Sequence, residues 1–147
     1  MSVGMFPLGV VSLGTNGTIV SAQYIAPTSD VSAGGWTAST GTDLFAMLNE
    51  AVPSDAEYIV STTDTISEVK FATATNPGTT SGHVIRYRIR ADGGGITVRL
   101  KQGATVIHTW THSTVPSTYI QYDQTLSTGE AGSITDYSDL RLSFEAT

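Results

Sequence analysis

Two runs of strict alternation between His83 and Thr111 constrain this chain more than any other feature. Ile85, Tyr87 and Ile89 alternate with Arg86, Arg88 and Arg90. After Asp92-Gly93-Gly94-Gly95, Ile96, Val98 and Leu100 alternate with Thr97, Arg99 and Lys101. A period of two puts one set of side chains on each face of a strand, so each run reads as half-buried antiparallel structure. The turn residues between the runs predict a β-hairpin, followed by a third strand over Thr105–Thr111.

Two registers keep both apolar triplets on one face. A two-residue loop at Asp92-Gly93 sets Ile89 opposite Ile96 and Arg86 opposite Arg99. A four-residue loop over Asp92–Gly95 sets Ile89 opposite Val98 and Arg88 opposite Arg99. Both put like charges face to face, which is unfavourable unless an acid intervenes. Five of the seven basic residues lie between Arg86 and Lys101, with only Asp92 opposing them, while the rest of the chain holds two bases and twelve acids. Neighbouring strands, or an acidic partner, are therefore expected to bring carboxylates to this face.

At 147 residues the chain is long enough for one domain that buries roughly two-thirds of its unfolded surface without staples. It contains no cysteine, which removes thiol nucleophiles, thiolate zinc sites and a disulfide framework. A net charge of −6 argues against general nucleic-acid binding, which needs a basic footprint. The longest apolar run, Met5–Val11, falls far short of the ~20 residues of a membrane span. No basic residue precedes it, so it does not read as a secretory signal. Asn16-Gly17-Thr18 fits a glycosylation sequon and reads as a turn.

Residues 1–33 read as an N-terminal extended arm and linker, and 34–147 as the domain. The arm is apolar and interrupted by Gly4, Gly9, Gly14 and Gly17, with a strand candidate at Thr18–Ala26 and a loop at Pro27–Gly35. It packs either on its own domain or on a neighbouring chain, and its removal (residues 2–17) is expected to leave the domain folded. Leu44, Met47, Leu48 and Ala51 share one face of a predicted helix over Thr42–Ala51, with Thr42 as its N-cap and Pro53 closing it. Further strands are expected at Glu57–Thr62, Glu68–Thr73, Tyr119–Leu126 and Asp139–Ala146, the last of them central, with a turn at Lys101–Ala104 and a loop or helical turn at Ser127–Ser138. On strand Thr105–Thr111, Val106, His108 and Trp110 are expected to share a side. Seven or eight strands and one short helix predict an all-β fold, an antiparallel β-sandwich of jelly-roll type.

No chemistry motif stands out. His108 and His112 are four apart, but on a strand that separation is about 13 Å, too far to share an ion. Glu50, Asp55 and Glu57 cluster near the helix exit, and Asp136 and Asp139 flank Tyr137; turn shaping and pairing with the arginines account for them without catalysis. Walker, dinucleotide and nucleophile-elbow patterns are missing. No enzyme activity, cofactor or metal is expected. Trp36, Tyr119, Tyr122 and Trp110 read first as the aromatic core or interface filling that a sandwich of this size needs; the alternative is a sugar-stacking set, for which Trp36, after Gly34-Gly35 in a loop, is the first to suit exposure.

The pattern from Gly34-Gly35-Trp36 to Pro53-Ser54-Asp55-Ala56-Glu57-Tyr58-Ile59, then His83-Val84-Ile85-Arg86-Tyr87-Arg88, Leu100-Lys101-Gln102-Gly103 and Ile134-Thr135-Asp136-Tyr137-Ser138-Asp139-Leu140-Arg141-Leu142, resembles a small β-rich domain of tailed-phage and prophage structural proteins. The likeness spans residues 34–147. It implies a place in the virion, as a capsid decoration or cement protein, head fibre or tail component. A short arm before a single domain suits a decoration subunit on the capsid surface, bound to the major capsid protein and to its own copies, with a trimer among the options. Met5, Phe6, Leu8, Val10 and Val11 of the arm and Arg86, Arg88, Arg90 and Arg99 are then the candidate partner-binding residues. The alternative is a carbohydrate-binding, host-attachment domain working through Trp36.

Overall fold

A computed structural model describes residues 22–147 in full and 2–5 and 8–10 as backbone. Among the described residues twelve strands form two antiparallel sheets. They are β1 (Ser2–Met5), β2 (Leu8–Val10), β3 (Gln23–Ile25), β4 (Pro27–Ser32), β5 (Thr37–Ala38), β6 (Ile59–Val60), β7 (Ile66–Phe71), β8 (His83–Arg90), β9 (Ile96–Gln102), β10 (Thr105–His112), β11 (Ile120–Thr125) and β12 (Leu140–Ala146). Sheet B runs β10-β9-β12-β7-β4. Sheet A is built on β8, with β11 on one side and β2 and β1 in succession on the other; β3 lies beyond β2, and β6 and β5 beyond β1. The chain changes sheet at most connections, as in a jelly roll. The expected all-β sandwich is the observed one, and β12 is central, paired with β7 and β9.

The predicted hairpin is not a hairpin. β8 belongs to sheet A and β9 to sheet B, so Ile85, Tyr87 and Ile89 face Ile96, Val98 and Leu100 across the interior instead of lying beside them. Alternation identifies a strand's apolar face and not its neighbour, and the same six residues serve either arrangement. Gly93 and Gly94, at φ 98° and 90°, turn the corner between the layers. Neither register applies, and the like-charge conflict both carried is removed. The true hairpin is β9–β10, closed by Gly103-Ala104 with Thr105 opposite Gln102.

The division at residue 33 does not mark a break. β1 pairs with β8 and β6 (Val3 opposite Ile89 and Ile59), β2 with β8 and β3, and β4 with β7. Residues 2–5 and 9–10 pair along one edge of β8 in registers that differ by one residue. Removing residues 2–17 would strip that edge, so the truncated chain is no longer expected to stay folded. Phe6, Val11 and the sequon at residues 16–18 lie outside the described residues, as do residues 18–21 of the strand predicted at 18–26, of which 23–25 is β3.

The predicted helix over 42–51 is a single 3-10 turn, Phe45–Met47. Its cap is not Thr42 but Asp30 of β4, whose carboxylate accepts from the backbone N–H of Leu44 at 2.8 Å and of Phe45 at 2.7 Å. Leu44, Met47 and Leu48 are buried as the pattern required, whereas Ala51 is exposed. The α-helix of the described residues is α1, Thr128–Ser133, opened by a capping box in which Ser127 and Glu130 bond each other's backbone N–H.

Candidate functional site

The carboxylates expected at the basic stripe are present, on two separate faces. On the outer face of sheet A, Asp123 of β11 lies opposite Arg86 and binds its guanidinium at 2.7 Å, which holds the Asp123 carboxyl below the usual carboxylate range. Arg88 meets Asp55 at 2.7 Å, and Arg90 lies over the Tyr119 ring, 5.3 Å from its centroid. On the outer face of sheet B, Arg99 pairs with Glu145 of β12 at 2.6 Å. Lys101 and Arg141 both bind the nearly buried Glu68, and Arg141 and Lys70 share Asp139. Arg86, Arg88 and Arg90 therefore do not form one patch with Arg99; the sandwich separates them. All seven basic residues sit on these faces, six against carboxylates. Half-exposed pairs of this kind add little stability each, and they leave most of the charge on both faces paired.

The aromatic set divides as well. Trp36 is 2% exposed, which removes it as a sugar platform. The tight turn at Ala33–Trp36 carries it under β7, where its indole N–H donates to the Thr65 carbonyl at 2.9 Å and its ring packs on Phe144. Gly34 permits this: a Cβ there would stand 1.8 Å from the Ile66 carbonyl oxygen. Loop position and flanking glycines point to exposure only when nothing folds back over the ring. Tyr119 lies on the outer face with Arg88 and Arg90.

Trp110 and Tyr122 do come together, at the side of the sandwich where β10 and β11 run as the edges of their sheets. A register shift at Val106–His108 leaves Val106 on the outer face, 48% exposed, and turns His108, Trp110 and His112 inward; Val106 thus departs from the side expected for it. The buried Tyr87 hydroxyl lies 2.7 Å from His112 Nε2 and accepts from the Gln124 amide at 3.3 Å. Which of the two donates follows the tautomer of the imidazole, whose proton affinity burial lowers. Tyr122 stacks on Tyr87 and lies 4.1 Å from His112 between ring centres; Trp110 lies 4.7 Å from His108, and His108 pairs with Glu130 of α1. The rings are packed on one another, so this seam closes the open side of the core rather than offering a flat ring to a sugar.

A shallow pocket of about 430 Å³ lies between the loop at Asn76–Thr80 and α1, floored by Ile134 and Tyr137. The Tyr137 hydroxyl is engaged with the buried His83, 2.7 Å away, and the lining holds no charged side chain. Glu50 accepts from the Ser54 backbone N–H at 2.9 Å; burial and the neighbouring Glu57 carboxyl push its pKa up to about 7. Asp136 bonds the Ser138 N–H, the turn role expected for it. Among the described residues no group of three or more His, Asp or Glu side chains is placed to hold a metal, and no helix is long and apolar enough to cross a membrane.

What remains is an edge. Among the described residues β10 pairs with β9 alone, and its eight residues, TVIHTWTH, have α1 packed near them through His108 and Glu130. Sequence reasoning weighed this segment only for histidine and aromatic chemistry; its lack of any charge, proline or glycine was the available signal. No protein family, curated protein or solved structure matches the chain.

Proposed function

We propose that the chain is a structural subunit of a tailed-phage particle, in the first place a capsid decoration protein that works by binding other protein surfaces and catalyses no reaction. The assignment to a phage particle rests on the resemblance of residues 34–147. The observation that carries the assembly role is the edge of β10, which among the described residues pairs on one side only. Over His108–His112 it is regular and holds no Asp, Glu, Lys, Arg or Pro, the form of an edge able to pair, and the largely paired charges of the two outer faces favour close contact with neighbours. Met5, Leu8 and Val10 act in this reading by completing the sheet through β1 and β2, so they support the domain instead of forming a detached arm.

Mass analysis of purified particles tests this directly. The chain is expected in many copies per particle, in a fixed ratio to the major capsid protein. Particles that lack it, or carry it at a ratio varying between preparations, would overturn the proposal.

A further inference from the structure

The edges of the two sheets are not equally protected. β5 and β3 are two and three residues long, and β11 carries Asp123. β4 begins at Pro27, has two register shifts and points Asp30 inward. These are the devices by which edge strands avoid pairing: shortness, charge, proline, bulges and inward carboxylates. β10 has one register shift near its start and then a regular run from His108 to His112 with Thr109 and Thr111 exposed.

We propose that β10 is the self-association edge of this protein: two copies add β10 to β10, antiparallel, to make one continuous sheet across a two-fold axis. Charge selects a second copy as the occupant. The chain carries −6, so like surfaces generally repel, but Thr105–His112 holds no Asp, Glu, Lys or Arg. The basic neighbours of the strand are already matched within each copy: Arg99, opposite Thr109, by Glu145, and Lys101, opposite Val106, by Glu68. Pairing centred on Thr109 is isologous. It sets Thr109 against its own copy and His108 against the Trp110 of the second copy, twice, and hydroxyl and aromatic cross-strand pairs of this kind are favourable. A basic or acidic foreign strand has no opposite charge on β10 to meet.

The inference rests on the assembly reading and specifies its partner. Sedimentation equilibrium on the full chain tests it, with Thr109→Glu and Thr109→Val. In a single copy the introduced carboxylate lies beside Arg99 and leaves the strand intact; in the pair it faces the same carboxylate of the second copy. Wild type and Thr109→Val are expected to dimerise, and Thr109→Glu to raise the dimer dissociation constant roughly tenfold or more, with an unchanged unfolding midpoint in dilute solution. A wild type that stays monomeric at millimolar concentration overturns the inference, as does a Thr109→Glu dimer as tight as the wild type. The two readings fail separately. Dimers that are absent from particles refute the phage assignment alone. Particles loaded normally by a chain that never self-associates refute the β10 pairing alone.

Discussion

Sheet B ends on one side in β4 and on the other in β10, and the two edges are finished in opposite ways. β4 is irregular, starts with proline and is tied inward by Asp30, which caps the 3-10 turn beneath it. β10 is regular over most of its length and lies over a seam of rings, and among the described residues its second side pairs with no strand. An edge strand can thus be blocked by anchoring it to the interior, or supported from within and left available.

The largest expected effect comes from breaking the anchored edge. Asp30→Ala leaves two backbone N–H groups under the chain without their charged acceptor and should lower stability by about 3 kcal/mol in urea unfolding. Asp30→Asn, which keeps one acceptor oxygen, should recover part of it. On the other side, Tyr87→Phe deletes the hydroxyl between Gln124 and His112 and should cost about 1 kcal/mol by the same measurement, with Thr109 pairing unaffected.

The two regions also respond to pH in opposite senses. Burial lowers the proton affinity of His112 in the seam and of His83 behind it, below the ordinary value of 6.5. The unfolded chain then binds more protons, so this stability is full above about pH 6.5 and is lost as pH falls through the lowered folded values. Thermal scans should show a lower Tm at pH 5 than at pH 7, and His112→Gln, which keeps an acceptor for Tyr87, should flatten the difference. Glu50, in the loop after the 3-10 turn, has its pKa raised from 4.5 to about 7, first by burial and then by Glu57. Its contribution is full below about pH 4.5 and is lost as pH rises through about 7. The smallest effect follows: Glu50→Gln should raise Tm at pH 8 and leave it nearly unchanged at pH 5.

Local pattern carried much of this fold. The alternation of Ile85–Ile89, Ile96–Leu100 and Leu140–Phe144 marked three strands and their buried faces, and the excess of arginine called for the carboxylates that Asp123, Asp55 and Glu145 supply. Which sheet a strand joins is a non-local property, and the pairing of β8 with β1, β2 and β11 in preference to β9 left no trace in the spacing. β4 was hidden because proline, serine and aspartate read as loop chemistry, and on an edge they are also strand protection. The 42–51 helix is realised as one 3-10 turn, whose start at Leu44 and Phe45 is fixed by a carboxylate distant in sequence that local pattern cannot show. The Ser127–Glu130 capping box, in contrast, was legible as S-x-x-E ahead of α1. At the candidate surface, composition alone marked β10 as uncharged, while its position at an edge required the fold.

Hydrogen exchange followed by mass spectrometry at two protein concentrations tests the central claim most directly, because it reads both edges in one experiment. The amides of Thr105–His112 should become more protected as concentration rises, while those of residues 28–32 stay the same. Equal behaviour of the two strands, or protection of β10 that does not depend on concentration, would contradict it.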